Sequence, residues 1–282
     1  MKRILAALVP LVLIACTPAG PSPSPSPSPS PSAEGFYLRA WYSQALPPEH
    51  SFSWLPVLTI HDGLAINGNV AVPAIFPGPL LIMPNVQAIS PAGQALVIEQ
   101  ARQLGLLGEG TDFSGGMIAP GGQSGHIELV IDGARRELIG DPTALVRCGG
   151  QRCVPEPGTP EAFGAFWQLL SDLPGWVAGE LGPTLTYTPQ RLAVATMAPQ
   201  PGDLQPNIAP WPLAGTFADF GQPWGAQGSR CAIVEGIDLD ALLGALQSAN
   251  QLTIFVDSAN EQRSLQARAL VPLEPSPCGD EG

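Results

Sequence analysis

Hydrophobic residues recur along this chain at two spacings: alternate positions, typical of strands, and a period near 3.6 residues, typical of helices. Two pairs of alternating runs, 57–61 with 64–67 and 126–131 with 134–139, are each joined by Asp-Gly. Because Asp-Gly accommodates the positive φ of a primed turn, each pair predicts a β-hairpin. Further strands are predicted at residues 36–41, 86–89, 191–196, 231–234, 252–256 and 263–271.

Three segments have helical spacing. Ser90-Pro91 and Thr159-Pro160 each place a capping side chain before a proline, which favours the start of a helix, and a third helix is predicted over residues 238–249. We expect Gly105 to end the first helix and Pro174-Gly175 to end the second. The three apolar faces consist of Leu96, Val97, Ala101 and Leu104; of Phe163, Phe166, Trp167, Leu169 and Leu170; and of Leu239, Leu242, Leu243 and Leu246.

The order strand, helix, two-stranded hairpin occurs at residues 86–139 and again at 231–271. The predicted fold class is therefore α+β, with two-layer antiparallel sheets and packed helices. One arrangement has two related sub-domains, residues 34–150 and 151–282; a single continuous sheet built from both halves is the alternative. A long loop rich in proline and glycine is predicted at 198–230, and four prolines in residues 73–84 exclude a central strand there.

The first sixteen residues combine a basic start, Met1-Lys2-Arg3, with an apolar run from Ile4 to Ala15. As a helix this run would span roughly 18 Å, short of a hydrocarbon core of about 30 Å, so residues 1–15 are predicted to be a signal peptide. The end of the run, Leu13-Ile14-Ala15-Cys16, resembles the lipobox of bacterial lipoproteins. The resemblance implies cleavage before Cys16, diacylglycerol on its sulfur and further acyl chains such as palmitate. An ordinary secretory signal with an incidental cysteine is the alternative.

Residues 16–33 follow as a predicted stalk, with six Pro-Ser repeats between Pro21 and Ser32. Repeated proline favours polyproline II, which would extend this segment to about 50 Å. Two or more acyl chains on Cys16 would anchor the protein stably, so we expect it on the extracytoplasmic face of the cell membrane. The domain after the stalk also resembles secreted lipoproteins of unassigned role, in its Pro-rich central loop and its closing Leu-Val-Pro near the last cysteine.

Composition and charge exclude several classes of function. The chain has 12 Lys plus Arg against 24 Asp plus Glu, and its only lysine is Lys2. Schiff-base chemistry, pyridoxal phosphate attachment and phosphate binding by a P-loop lysine are therefore excluded after the predicted signal peptide, and no cofactor is expected. An acidic chain with scattered arginines also makes nucleic acid an unsuitable partner.

Five cysteines are present, and four remain if Cys16 carries lipid. Outside the cytoplasm an even number predicts disulfides, for which three pairings are open. We favour Cys148 with Cys153, across a short turn, and Cys231 with Cys278. A zinc site is disfavoured because the chain lacks a Cys-x-x-Cys pair.

Two groups of residues are candidates for a functional site. His126 and Glu128 lie two apart on a predicted strand, close in sequence to Ser124 and its glycine-rich turn, so they could act in a hydrolase. The alternative is that they are polar residues on the solvent face of a hairpin; His61 would join them in a metal site only if the hairpins met, and no metal is expected. The second group, Trp211, Phe217, Phe220 and Trp224, lies on the long loop and could bind a ligand or form the core of the loop.

These patterns favour a lipid-anchored extracytoplasmic protein that is a non-catalytic binding or structural module of the cell envelope. Its expected partners are the membrane, through the anchor, and an envelope protein or a glycan. The alternative is an envelope hydrolase that uses His126 with Glu128 or Ser124. An inhibitor-like role for the proline-rich segment 73–84 is a third possibility.

Overall fold

The computed structural model describes residues 35–44, 47–71, 74–115, 122–144, 154–199, 206–225 and 228–279. The predicted signal peptide, the whole predicted stalk with Cys16, and the pair Cys148 and Cys153 lie outside the described residues. The fold class is confirmed: the described chain is α+β, with two sheets of eight and six strands.

The helices are α1 (Pro48–Ser51), α2 (Pro91–Gln103), α3 (Pro160–Ser171), α4 (Leu173–Val177) and α5 (Ile237–Gln247). The first seven strands are β1 (Tyr37–Ser43), β2 (Leu58–His61), β3 (Leu64–Asn67), β4 (Asn85–Ala88), β5 (Asp112–Phe113), β6 (Ser124–Ile131) and β7 (Ala134–Gly140). The other seven are β8 (Leu185–Thr186), β9 (Arg191–Met197), β10 (Asn207–Pro210), β11 (Gln222–Pro223), β12 (Arg230–Glu235), β13 (Thr253–Val256) and β14 (Gln262–Ala269).

The eight-stranded sheet has the order β5-β7-β6-β1-β2-β3-β4-β8 and the six-stranded sheet the order β10-β13-β14-β9-β12-β11. Both predicted Asp-Gly hairpins, β2–β3 and β6–β7, are confirmed, with Asp62 at φ 47° and Asp132 at φ 51°. The sheets are antiparallel except at one edge of each, where β5 pairs parallel with β7 and β10 parallel with β13. The order strand, helix, hairpin is found at both predicted places, as β4-α2-β6-β7, with the two-residue β5 between α2 and β6, and as β12-α5-β13-β14.

Helices α2, α3 and α4 cover one face of the eight-stranded sheet and form the first core with it. Ser90 and Thr159 cap α2 and α3 as predicted, accepting from the N–H groups of Gly93 and Ala162. Helix α3 comes close to the sheet because Gly125 and Gly140 are paired across β6 and β7, where a Cβ would meet Trp167 or Phe163 at under 3 Å. The second core lies between α5 and the six-stranded sheet.

Three expectations need correction. Helix α3 ends at Ser171, and Pro174-Gly175 lie within α4, because proline is tolerated in the first turn of a helix. Residues 198–230 are not entirely a loop, since β10, β11 and a 3₁₀ turn at Phe217–Asp219 form within them. A single continuous sheet is absent from the described residues.

The predicted division of the chain at residue 150 does not separate the two sheets and their cores. Helix α3 and strand β8 come after residue 150, yet α3 packs in the first core and β8 pairs with β4. Conversely, Ile66 of β3 comes before residue 150 but lies in the second core. Separate sub-domains at 34–150 and 151–282 stay a prediction.

Candidate functional site

One face of the eight-stranded sheet points away from the first core, and we call it the polar face. It exists because alternate residues of a strand point to opposite sides, so that Leu38 and Ala40 enter the core while their neighbours do not. The polar face is formed by Tyr37, Arg39, Trp41 and Ser43 of β1, Thr59 of β2, and His126 and Glu128 of β6.

Arg39 and Glu128 form a buried ion pair at the centre of this face. Arg39 is 7% exposed, and its Nη2 donates to Glu128 Oε2 at 3.1 Å. The other carboxylate oxygen of Glu128 accepts from Arg135 Nε at 2.8 Å. The guanidinium carbon of Arg39 lies 4.3 Å from the centroid of the Trp41 ring, a favourable cation–π geometry. One carboxylate therefore balances two arginines here.

A second buried ion pair belongs to the six-stranded sheet and the segment after it. Arg268 Nη2 of β14 lies 2.7 Å from Glu274 Oε1, and both side chains are at least nine-tenths buried. Glu274 Oε2 accepts from the backbone N–H of Val271 at 3.1 Å. Arg268 Nη1 donates to the carbonyl oxygen of Trp54, in the segment between α1 and β2. Arg268 thus links the six-stranded sheet to the segment that leads into β2.

Arg39 of the first ion pair and both members of the second line a common cleft of about 330 Å³. Its wall combines Arg39 and Trp41 of β1 with Phe52 and Trp54 after α1, and with Arg268 and Glu274. Burial raises the pKa of Tyr37 to about 12, and the charges that modify this shift are those of Arg39, Glu128, Glu274 and Arg135. Tyr37 therefore lies within electrostatic reach of both networks.

Several buried polar atoms around the cleft and on the faces beside it are left without a protein partner. Within the described residues no hydrogen-bond partner is found for Tyr37 Oη, Arg39 Nε, Thr59 Oγ1, Gln266 Oε1 and Arg268 Nε. Buried polar groups in folded proteins are nearly always hydrogen-bonded, and an unmet one costs roughly 1–3 kcal/mol. The unmet atoms are therefore a local cost to stability in this region.

The C-terminal wall of the cleft is fixed to the six-stranded sheet. Cys231 of β12 and Cys278 form a disulfide with Cα atoms 5.3 Å apart, as predicted. Trp224 Nε1 donates to the carbonyl oxygen of Pro277 at 3.2 Å, and its ring packs edge-on against Phe52 at 5.0 Å. The walls are therefore held by covalent and packing contacts.

His126 sits beside this cleft, between a hydroxyl and a carboxylate. Its Nε2 lies 2.7 Å from Ser43 Oγ, and its Nδ1 lies 3.3 Å from Glu137 Oε1 of β7. The Trp41 ring stacks on the imidazole at a centroid distance of 5.1 Å. The order hydroxyl, imidazole, carboxylate is the one used for activating a serine.

No known protein family, curated protein or solved structure matches this chain. Its function is therefore inferred from its own side chains. Among the described helices, none has both the length and the apolar character needed to cross a bilayer.

Of the other predicted chemical residues, Ser124 and Glu128 share the polar face with His126. Ser124 is opposite Ser43 across β1 and β6, and Glu128 forms ion pairs with Arg39 and Arg135. His61 lies 3.2 Å from the carboxylate of Asp62 and packs against the ring of Tyr37. Tyr37 is four residues along β1 from Trp41, which stacks on His126, so the two histidines contact different parts of this strand. In the described part of the chain, no three potential metal ligands form a cluster.

The aromatic residues of the long loop are largely buried. Trp211 packs against Phe217 at 4.9 Å and against Phe220 at 5.2 Å, in the second core. Trp224 lies in a separate cluster with Phe52. Of these four rings, Phe220 lines a cavity of about 340 Å³ in the described part of the chain. A ligand surface made of all four rings stays a prediction.

Sequence reasoning missed Arg39, Trp41, Ser43, Glu137 and Arg268. A usable signal existed for the two arginines, because Arg39 is the single charge of its strand and Arg268 lies between two alanines. A charge in such a position is buried only when it has partners, so it marks a polar site. Ser43 and Glu137 gave no such signal.

Proposed function

We propose that this protein is a lipid-anchored, extracytoplasmic binding module whose ligand site is the cleft between the two sheets. The observation that carries the proposal is that Arg39 and Arg268, both buried, on different sheets and each paired with a glutamate, line one cleft together with aromatic side chains. A volume of about 330 Å³ is at the small end of the range for small-molecule sites, which favours a small molecule over an extended glycan or a protein surface.

The anchor and the stalk are proposed on the sequence alone. Lipid on Cys16 would hold the protein at the membrane, and the Pro-Ser segment would hold the folded domain away from the headgroups. Cys16→Ala should move the protein from the membrane fraction to the soluble fraction or leave it unprocessed. A lipid-modified product from this variant would contradict the anchor.

The binding proposal is tested on the full-length mature protein in detergent, with a panel of small anionic, neutral and cationic compounds. Binding should raise the melting temperature, because a ligand that binds only the native state stabilises it. Trp41→Ala should abolish the shift, whereas Trp176→Ala, in the first core, should lower the starting melting temperature but keep the shift. A panel without any stabilising compound would contradict the proposal.

A second candidate function, an envelope hydrolase, is favoured by the contacts of His126. We infer a site in which Ser43 Oγ attacks an ester carbonyl, His126 takes the proton and passes it to the leaving alkoxide, and water then releases the acid from the acyl-serine. Glu137 would orient the imidazole through Nδ1. His126 is the residue expected from the sequence; the partners in this version are Ser43 and Glu137 in place of Ser124 and Glu128.

A fluorophosphonate probe separates these versions, since it labels only an activated serine. Ser43→Ala should remove the label and Ser124→Ala should keep it. Labelling of Ser124 would favour the version with that residue, and an unlabelled wild-type protein that also fails to hydrolyse a nitrophenyl ester would end the hydrolase proposal.

A further inference from the structure

We infer that the protein has a second ligand site, a pocket that binds one neutral sugar unit beside the first core. The pocket has a volume of about 280 Å³, and its walls come from β1, the segment between α1 and β2, the end of β3 and the last turn of α3. It shares Tyr42, Trp54 and Leu55 with the cleft, but its other lining residues are its own. Sugar binding here is therefore a function beyond the one proposed for the cleft.

The walls of this pocket carry no charge in the part of the chain that the structure describes. The cleft, by contrast, includes two arginines and a glutamate, and the cavity beside Phe220 includes three carboxylates. A charged ligand would lose hydration in an uncharged pocket without gaining a counter-charge, and the cost in free energy is large. The pocket therefore suits a neutral ligand, although the chain as a whole is acidic.

Two aromatic side chains give the pocket a partly exposed apolar wall. Tyr42 of β1 packs against the first core, and both Tyr42 and Trp54 are half-buried at the pocket. Leu55 and Val57 extend this wall. Such side chains suit the C–H groups of a sugar ring, because burying those groups against an aromatic ring is favourable.

Hydroxyl and amide groups line the same pocket. The side chains of Asn69 and Gln123 are exposed, and within the described residues neither amide makes a hydrogen bond. Tyr42 Oη accepts from Trp167 Nε1 at 3.2 Å and keeps its own proton to donate. An amide group has both donors and an acceptor, which matches a sugar hydroxyl that donates and accepts at once. These groups favour a sugar over a purely apolar ligand.

The walls of the pocket are fixed by contacts within the protein. The N–H of Trp54 donates to the carbonyl oxygen of Ser51 at 3.0 Å, and the carbonyl oxygen of Trp54 accepts from Arg268 Nη1. Gly68 lies so close to the segment before β2 that a Cβ would collide with the carbonyl oxygen of Pro56. Walls that are ordered in advance reduce the entropy cost of binding. The small volume limits the ligand to one unit, either a free sugar or the end of a glycan.

The test measures sugar binding to the full-length mature protein by saturation-transfer NMR with titration, in a detergent without a sugar headgroup. Glucose, galactose, mannose and N-acetylglucosamine are the neutral probes, and at least one should bind. The uronic acid of the same configuration should bind at least tenfold more weakly, because its carboxylate has no partner in the pocket. Cyclohexanol, with a six-membered ring but one hydroxyl, should also bind at least tenfold more weakly. If no neutral sugar binds, or if either comparison compound binds as tightly, the inference is overturned.

A trisaccharide that ends in the bound sugar separates the two sources of the ligand. Binding as tight as that of the monosaccharide assigns the pocket to the end of a glycan. Weaker binding assigns it to a free sugar.

Two surface variants locate the site. Asn69→Ala and Gln123→Ala each remove an exposed amide without a protein partner in the described chain, so both should fold like the wild type and weaken sugar binding by about fivefold. The matched control is Gln247→Ala, exposed on α5, which lines neither the pocket nor the cleft and should bind sugar like the wild type. Unchanged affinity in both pocket variants would overturn the inference.

The same variants keep the two sites distinguishable. Neither Asn69 nor Gln123 lines the cleft, so a compound that stabilises the protein through the cleft should keep its full effect in both variants. Loss of sugar binding with an intact cleft response supports a separate pocket, whereas equal loss of both responses would contradict it. A protein that binds sugar but responds to no cleft compound would end the cleft proposal alone.

Discussion

At the scale of single residues, the polar face shows how a charge can be kept inside a protein. Arg39 and Glu128 are both buried, and each would be very costly alone. Their pairing offsets much of the free-energy cost of desolvation, and the cation–π contact of Arg39 with Trp41 offsets a further part of that cost. Buried pairs of this kind seldom add much net stability, which is consistent with a role in binding rather than in folding.

Removing one member of this pair should therefore be more harmful than removing both. Glu128→Gln leaves Arg39 buried without its counter-charge and should lower the free energy of unfolding by about 3 kcal/mol, whereas Arg39→Met with Glu128→Leu should cost clearly less. Glu99→Gln is the control, because its exposed pair with Arg102 contributes on the order of 0.5 kcal/mol. Urea denaturation gives all three values, and equal losses for the single and double variants would contradict the argument.

A second residue-scale prediction concerns Asp257, which holds the long loop against β13. Its Oδ2 accepts from the N–H of Phe217 at 2.8 Å, and its Oδ1 accepts from the N–H groups of Ala259 and Glu261 at 2.9 Å. Burial raises the pKa of Asp257, but these backbone donors and Arg263 outweigh it, so the pKa lies below the usual 3.8. The carboxylate is thus stabilised in the folded state.

A lowered folded-state pKa means that this contribution is complete above pH 3.8, the value expected in the unfolded chain, and is lost as pH falls through the folded value. Asp257→Asn should lower the melting temperature at pH 7, and the gap to the wild type should narrow below pH 3.8. Asp219→Asn, on the exposed turn nearby, is the control and should change the pH profile less. A gap that stays constant from pH 7 to pH 2 would contradict the prediction.

At the scale of elements, local signals were sufficient for the hairpins and for the starts of α2 and α3, because a turn or a cap involves neighbours in the chain. The parallel edges and the course of residues 198–230 were missed, since they depend on contacts with distant strands. The same limit applies to the site. His126 was identified from the sequence, but Ser43 is 83 residues away along the chain, and Arg39 and Arg268 come to line one cleft only through the packing of two sheets.

Replacing either of two helical glycines by alanine should change the stability of the protein, but in opposite directions. In an exposed helix, replacing glycine by alanine stabilises by roughly 0.5–1 kcal/mol. Gly244 of α5 has open space around its missing Cβ, so Gly244→Ala should stabilise by this amount. At Gly164 of α3 a Cβ would lie 1.9 Å from the carbonyl oxygen of Ala144, so Gly164→Ala should destabilise.

Thermal unfolding of both glycine variants measures this difference directly. If Gly164→Ala is as stable as the wild type, the close approach of α3 to residue 144 is contradicted. If Gly244→Ala is destabilised, the open surface around α5 is contradicted.

At the scale of the whole molecule, the cleft depends on both sheets and on the end of the chain. The eight-stranded sheet supplies Arg39 and Trp41, the six-stranded sheet supplies Arg268, and the C-terminal segment supplies Glu274. A ligand held by groups from three parts of the chain should bind better when those parts are fixed in advance, because less ordering is needed on binding. Phe52 and Trp224, in contact across this region, contribute to that fixing.

The disulfide between Cys231 and Cys278 should therefore affect both stability and binding. It closes a loop over a sequence separation of 47 residues, for which the chain-entropy model gives about 4 kcal/mol. Replacing both cysteines by alanine should lower the free energy of unfolding by up to that amount. It should also weaken the binding of any stabilising compound from the panel, because Glu274 and the prolines after it lose their tether. Trp211→Phe, in the second core and away from the cleft wall, is a control that should reduce stability without weakening that binding in the folded protein. If the double cysteine variant loses stability and still binds the compound like the wild type, the C-terminal wall is positioned by its hydrogen bonds alone, and the proposed dependence of the cleft on the disulfide is contradicted.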